Sequence, residues 1–240
     1  MAEPTPIGGR VRGRTAGTVG GVVLAGGRST RMGRDKAGVP WGSTTLLGYV
    51  LHVLADAVDG PLVVVGAADR PAPTASDAAP VVRSRLVPVA DPTTGGGPLQ
   101  GIATGLAAAA ATGADRVFLA SVDLPLLHPV FVRAVLDRLR DPVEVALPVL
   151  HGHRQPLAAA YVTVLGDRAT RLLAAGATRP GELFGVSTVR TLRAADLLTD
   201  AALAACDPDL DAVRGANTPA ELAELAERAR HRRRDDEDHS

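Results

Sequence analysis

The chain has 240 residues, enough for one large domain or one domain with tails. Hydrophobic residues make up 46%, mostly Ala, Val and Leu, with aromatics at only 2%; the formal net charge of zero gives no footing for nucleic-acid binding. No apolar run approaches the ~20 residues of a membrane span, and the single cysteine, Cys206, excludes an intramolecular disulfide and suits a reducing cytoplasm.

Residues 1–18, beginning "MAEPTPIGGRVRGRTAG", lack the apolar stretch of a secretory signal and read as a flexible lead-in. Val19 to Leu24 is the first strand. It runs into "LAGGRSTRMGRDK", where Gly26, Gly27 and Gly33 alternate with Arg28, Arg31, Arg34 and Lys36. Ser43 or Thr44 then caps a helix with Leu46, Leu47, Val50, Leu51 and Leu54 on one face. Strands follow at Pro61 to Gly66 and Arg85 to Asp91, separated by an Ala- and Pro-rich surface excursion. Pro98 opens another helix through "LQGIATGLAAAAA". "RVFLASVD" is a strand ending at Asp123, "PVFVRAVLDRLR" a helix, "EVALPVL" a strand and Pro156 to Val162 one more. Shorter helices, a strand around Val186 to Leu192 and a last helix from Thr218 complete a domain expected to span 19–228. A charged, solvated tail is expected over 229–240. Cys206 reads as a buried, inert thiol.

Continuous apolar strands interleaved with helices predict an α/β fold, a mostly parallel sheet covered on both faces. Ligands of such folds bind beyond the carboxyl ends of the strands. A Gly-rich turn from strand to helix offers backbone N–H groups to phosphate, and the cations around it favour an anion. The turn is neither a Walker loop nor a G-x-G-x-x-G loop, because Arg34 and Asp35 separate Gly33 from Lys36 and Gly26 abuts Gly27.

Asp91 and Asp123 end strands on the same rim. Asp123 is either a Mg²⁺ ligand acting with phosphate oxygens or a helix N-cap. Asp91 is either a contact to ribose or base or a turn residue before Gly95, Gly96 and Gly97. His151 and His153 form an H-x-H pair without further metal-binding neighbours, which favours a structural role over a metal site, or the acceptor contact that the resemblance given below implies. No Ser-His-Asp order, cysteine nucleophile or G-x-S-x-G elbow is present. These parts together describe nucleotidyl transfer, in which positioning and charge neutralisation outweigh acid–base chemistry.

"LAGGRSTRMGRDK" resembles the LAGG-x-S-x-R-M-G-x-D-K signature of molybdenum cofactor guanylyltransferases and their MobA-like relatives. The likeness continues through "GPLQGIATGL" (Gly97 to Leu106), "SVDLPLL" (Ser121 to Leu127), "RQPLAAAY" (Arg154 to Tyr161) and "NTPAEL" (Asn217 to Leu222). It implies a three-layer, Rossmann-like nucleotidyltransferase fold. It also implies transfer of GMP from MgGTP to the phosphate of the molybdenum–pterin cofactor, with release of pyrophosphate.

On that resemblance Leu24, Ala25, Gly26 and Gly27 begin the nucleotide loop, and Lys36 and Arg31 act on the phosphates. Gly66 stands where relatives carry an Asn, Asp91 is the acidic nucleotide contact and Asp123 holds Mg²⁺. Gln155 and Asn217 lie on the acceptor side. The implied partners are GTP, the molybdenum–pterin cofactor and, downstream, molybdoenzymes or their chaperones; the implied state is a cytoplasmic monomer or weak homo-oligomer. Two departures stand out: Gly215-Ala216-Asn217 replaces an Asn-x-Asn run, and "LAS" precedes Val122 and Asp123 where some members carry a cysteine. The alternatives are a cytidylyl- or other nucleotidyltransferase acting on another phosphorylated small molecule, and a non-catalytic nucleotide-binding protein that delivers cofactor.

Overall fold

The computed structural model describes residues 17–26, 36–67, 80–92 and 96–238. The strands are β1 (Val19–Leu24), β2 (Pro40–Trp41), β3 (Thr44–Thr45), β4 (Leu62–Gly66), β5 (Leu86–Ala90), β6 (Arg116–Ser121), β7 (Val145–Leu150), β8 (His153–Arg154), β9 (Ala158–Val162) and β10 (Val189–Leu192). The helices are α1 (Leu46–Ala57), α2 (Pro80–Arg83), α3 (Gly97–Ala111), α4 (Pro129–Leu136), α5 (Leu165–Ala174), α6 (Pro180–Phe184), α7 (Ala194–Leu197), α8 (Ala201–Cys206) and α9 (Pro219–Asp238), with 3-10 turns at Lys36–Gly38 and Asp211–Val213.

The main sheet has the order β10-β7-β9-β6-β1-β4-β5, and β8 folds back onto β7. β1 pairs in parallel with β4 and β6, β4 with β5, and β7 with β10. β9 runs antiparallel between β6 and β7, so the ends of those two strands still share one rim. Alternate residues of each strand face opposite layers. Val23, Val64, Phe118 and Ala160 pack with α1 and α4, while Val22, Val63, Val65, Leu119 and Tyr161 pack with α3 and α5. This two-sided burial explains why the strands read as unbroken apolar runs. α3 lies close on β1 because Gly105 faces Val22; a Cβ there would come within 2.5 Å of Val22 Cγ1. The mostly parallel, three-layer α/β architecture expected from the sequence is the one observed.

Two local expectations change. α1 is capped by Thr45, whose hydroxyl accepts the Gly48 N–H at 3.1 Å. Thr44 is instead paired with Trp41 in the β2–β3 hairpin, and Ser43 lies in its turn, so neither caps the helix. Cys206 is exposed at the end of α8 rather than buried. The last helix runs on through the charged segment to Asp238, with Arg228 paired to Glu224 and Arg230 to Glu227 along it. Among the described residues no helix is long and apolar enough to cross a membrane.

Candidate active site

The site is built where the chain leaves β1. Ala25 N–H donates to Val65 O at 2.9 Å, and Leu24 O accepts Val122 N–H at 3.1 Å, so the end of β1 is clamped between the ends of β4 and β6. Gly26 crosses directly over the end of β4; a Cβ would stand 3.1 Å from both Gly66 C and Ala67 N. Only a residue without a side chain makes that crossing unstrained. Leu24, Ala25, Gly26 and Gly66 are therefore brought together. Gly27, Arg28, Arg31, Arg34 and Gly95, also expected at the site, lie outside the described residues.

Asp91 follows β5 on the same rim, its N–H bonded to Gly66 O at 2.9 Å. Burial pushes its carboxyl above the usual range, while a hydrogen bond from the Thr104 side chain on α3 pulls the other way. Its Oδ1 is buried without a hydrogen-bond partner among the described residues. An orphaned carboxylate oxygen beside the Gly26 crossing lacks a donor that a ligand hydroxyl or base N–H can supply.

Lys36 begins its 3-10 turn across the cleft and points back into it. Its Nζ donates to Asp123 Oδ2 at 2.9 Å and to Asn217 Oδ1 at 3.0 Å. The Lys36 and Asp123 side chains are 12% and 22% exposed, so the pair is partly screened from water yet open to a ligand. Asp123 does not cap α4. That role belongs to His128, whose ring nitrogen accepts the Phe131 N–H at 3.3 Å, so the Asp123 carboxylate is left for the cleft. The loop after Asp123 is pinned by Tyr49, whose hydroxyl donates to Leu127 O at 2.7 Å.

The C-terminal segment closes the other side. Ala216 N–H donates to Asp123 O at 3.1 Å, and Gly215 lies against the Asp123 carboxylate. Asn217 is not the helix cap. The Thr218 hydroxyl accepts from Glu221 N–H, and the Glu221 carboxylate accepts from the N–H groups of Asn217 and Thr218. This reciprocal arrangement satisfies the start of α9 and releases the Asn217 amide to the cleft.

Gln155 follows the β7–β8 hairpin, and its amide donates to Leu150 O and His153 O within it. His151 and His153 turn their rings to the backbone oxygens of Leu210 and His151. Thr104 and Tyr49 carried no signal in the sequence, because their roles arise from packing across the fold.

Among the described residues no cluster of three or more His, Cys, Asp or Glu could hold a metal. The Asp123 carboxylate nevertheless fits Mg²⁺, which takes one or two carboxylates and completes its shell with phosphate and water. A lone carboxylate does not fit zinc, which takes three or four protein ligands, mostly nitrogen and sulfur.

A Gly-rich crossing from the first strand, a lysine on a strand-end aspartate and a mostly parallel three-layer sheet define a nucleotidyltransferase. The chain matches the family model of the MobA-like NTP transferase domain over residues 21–207, and it belongs to that family. It is 39% identical over 175 residues to a probable molybdenum cofactor guanylyltransferase of Mycobacterium avium, covering 72% of this chain and 83% of that one. Its fold is similar to that of molybdopterin-guanine dinucleotide biosynthesis protein A of Archaeoglobus fulgidus, with a TM-score of 0.65 at 21% identity over 88% of this chain and 99% of that chain. A 2-C-methyl-D-erythritol 4-phosphate cytidylyltransferase of Thermus thermophilus shares the fold at a TM-score of 0.58 and 17% identity, over 87% and 97% of the two chains.

Proposed function

We propose that this enzyme transfers GMP from GTP to the terminal phosphate of the molybdenum–pterin cofactor, releasing pyrophosphate. The observation that carries the reading is the Lys36 ammonium, held at once by Asp123 and Asn217 on the rim beside the Gly26 crossing. Three chain regions converge there on one cation, between the expected nucleotide side and the expected acceptor side.

In this reading the triphosphate lies along the loop that begins at Leu24, Ala25 and Gly26. Asp91 offers its unpartnered oxygen to the nucleoside, and Thr104 holds the carboxyl in place. Lys36 turns from Asp123 to the phosphates and balances charge as pyrophosphate departs. The Asp123 carboxylate would hold Mg²⁺, which when bound neutralises charge on the phosphate oxygens. An oxyanion of the acceptor phosphate attacks the α-phosphorus; the bond from that phosphorus to the β-bridging oxygen breaks, and no proton need be abstracted. Asn217, freed from capping by Thr218, orients the acceptor. The intact Lys36–Asp123 pair supports an enzyme over a delivery protein that has lost catalysis, and a single cysteine in the sequence is compatible with a reducing cytoplasm.

The test is pyrophosphate release with GTP, CTP, ATP or UTP, each with and without the molybdenum–pterin cofactor, at saturating Mg²⁺. Release with GTP that depends on the cofactor is the expected result. Preference for CTP moves the protein to cytidylyl transfer, and no release with any pair overturns the reading.

A further inference from the structure

The segment that brings Asn217 to the rim is tied to the Asp123 side twice. The inner tie is the Ala216 N–H on Asp123 O. The outer tie runs through side chains. The Asp207 carboxylate is fully buried and accepts the N–H groups of Asp211 and Ala212 at 2.9 Å each, which fixes the turn that leads towards Gly215. Its Oδ2 also lies 3.2 Å from Nε2 of His128. His128 follows the Asp123 loop directly, and its Nδ1 accepts the Phe131 N–H at the start of α4. A ring nitrogen that accepts an N–H carries no proton, so the imidazole proton sits on Nε2 and is donated to Asp207. A buried carboxylate is costly unless its oxygens are satisfied, and here donors from two distant chain regions meet on one.

Capping alone does not account for a histidine here. Asn, Asp, Ser and Thr cap helices best, and each is too short to reach Asp207. The imidazole does both jobs, one with each nitrogen. We propose that His128 is a positioning residue for the acceptor: through Asp207 it holds the 207–217 segment, and with it Asn217, against the Asp123 loop. The proposal rests on the reading of Asn217 as an acceptor contact. It matters most in the loaded enzyme, because Lys36 releases Asn217 when it turns to the triphosphate, and the ties to the Asp123 side then carry more of the load, beside the His151 ring on Leu210 O and the Arg228–Asp211 pair.

His128→Asn separates the roles, since Asn keeps the cap and loses the reach to Asp207. Backbone hydrogen exchange of the ligand-free protein should speed up across 207–217 while α4 keeps its protection. The apparent KM for the molybdenum–pterin cofactor should rise roughly tenfold or more, with GTP affinity unchanged. Unchanged exchange in 207–217, an unchanged cofactor KM, or a general loss of protection with equal weakening of GTP each overturns the proposal. If the wild-type protein transfers nothing to the cofactor, the functional reading fails on its own account. The tie between His128 and Asp207 is then upheld or overturned by the exchange pattern alone.

Discussion

Lys36 Nζ lies 2.9 Å from Asp123 Oδ2, although the two residues are 87 positions apart in the chain. The pair joins the turn that leaves the first strand to the loop that follows the sixth. Each residue supplies charge the other needs, and each is expected to exchange that partner for substrate or metal during turnover.

Asp123→Asn keeps the side-chain size and removes the charge. Turnover should fall roughly a hundredfold or more, the scale seen when a preorganised charge-stabilising group is lost. Partly exposed ion pairs contribute only ~0–1 kcal/mol, so the melting temperature should hardly move. Near-normal pyrophosphate release at saturating Mg²⁺ would remove Asp123 from the chemistry.

Lys36→Ala should weaken triphosphate binding roughly ten- to a hundredfold, since a charge-assisted hydrogen bond contributes ~1.5–3 kcal/mol. Calorimetric titration with GTP measures it. Unchanged affinity and unchanged rate together would reduce the residue to a partner for Asp123 and Asn217.

Asn217→Ala and Thr218→Ala should part company. The first should raise the cofactor KM and leave both GTP affinity and thermal stability near wild type, because Asn217 does not cap α9 through its side chain. The second should cost ~0.5–2 kcal/mol of stability, because the Thr218 hydroxyl accepts the Glu221 N–H. Thermal melts beside acceptor kinetics for both variants decide the assignment; a destabilised Asn217→Ala protein with normal cofactor KM reverses it.

Asp91 ties stability to pH. Burial raises its carboxyl above the ordinary value, so the folded protein resists ionisation that the unfolded chain accepts. This group's effect is absent below the unfolded value, where both states are protonated. The folded state loses stability as pH rises through the raised value, and the full cost persists at neutral pH. Asp91→Asn should therefore raise the melting temperature at pH 7 relative to wild type, with the gain shrinking as pH falls towards about 4 and gone below it. The same change should weaken GTP binding roughly tenfold if the carboxylate contacts the nucleoside. A variant that is no more stable at pH 7 than at pH 4 contradicts the first expectation.

Much of the site was readable from local chemistry. Gly26 stands out because a glycine between a buried strand and a helix lets a ligand come close to the backbone; its crossing over the end of β4 is a finding of the structure. Asp91 and Asp123 stand out because acidic residues that end apolar strands belong to one rim. Gln155 reads like a site residue only from its motif, and in the structure its amide bonds Leu150 O and His153 O of the β7–β8 hairpin. Cys206 reads as buried because cysteine usually is, yet its place at the end of α8 leaves it exposed.

The sequence by itself determined the alternation of strands and helices, the covering of both sheet faces and the rim on which the candidate site residues sit. Those features follow from hydrophobic periodicity, glycine geometry and the placement of charge, all of which act over a few residues. Only the tertiary structure decided that β9 runs antiparallel, that Thr45 rather than its neighbours caps α1, and that Thr218 caps α9 so that Asn217 faces Lys36. It alone brought Thr104 to Asp91 and His128 to Asp207. Such contacts are chosen by how packed layers bring distant segments within hydrogen-bond reach, and no local pattern encodes which distant partner a polar group will meet.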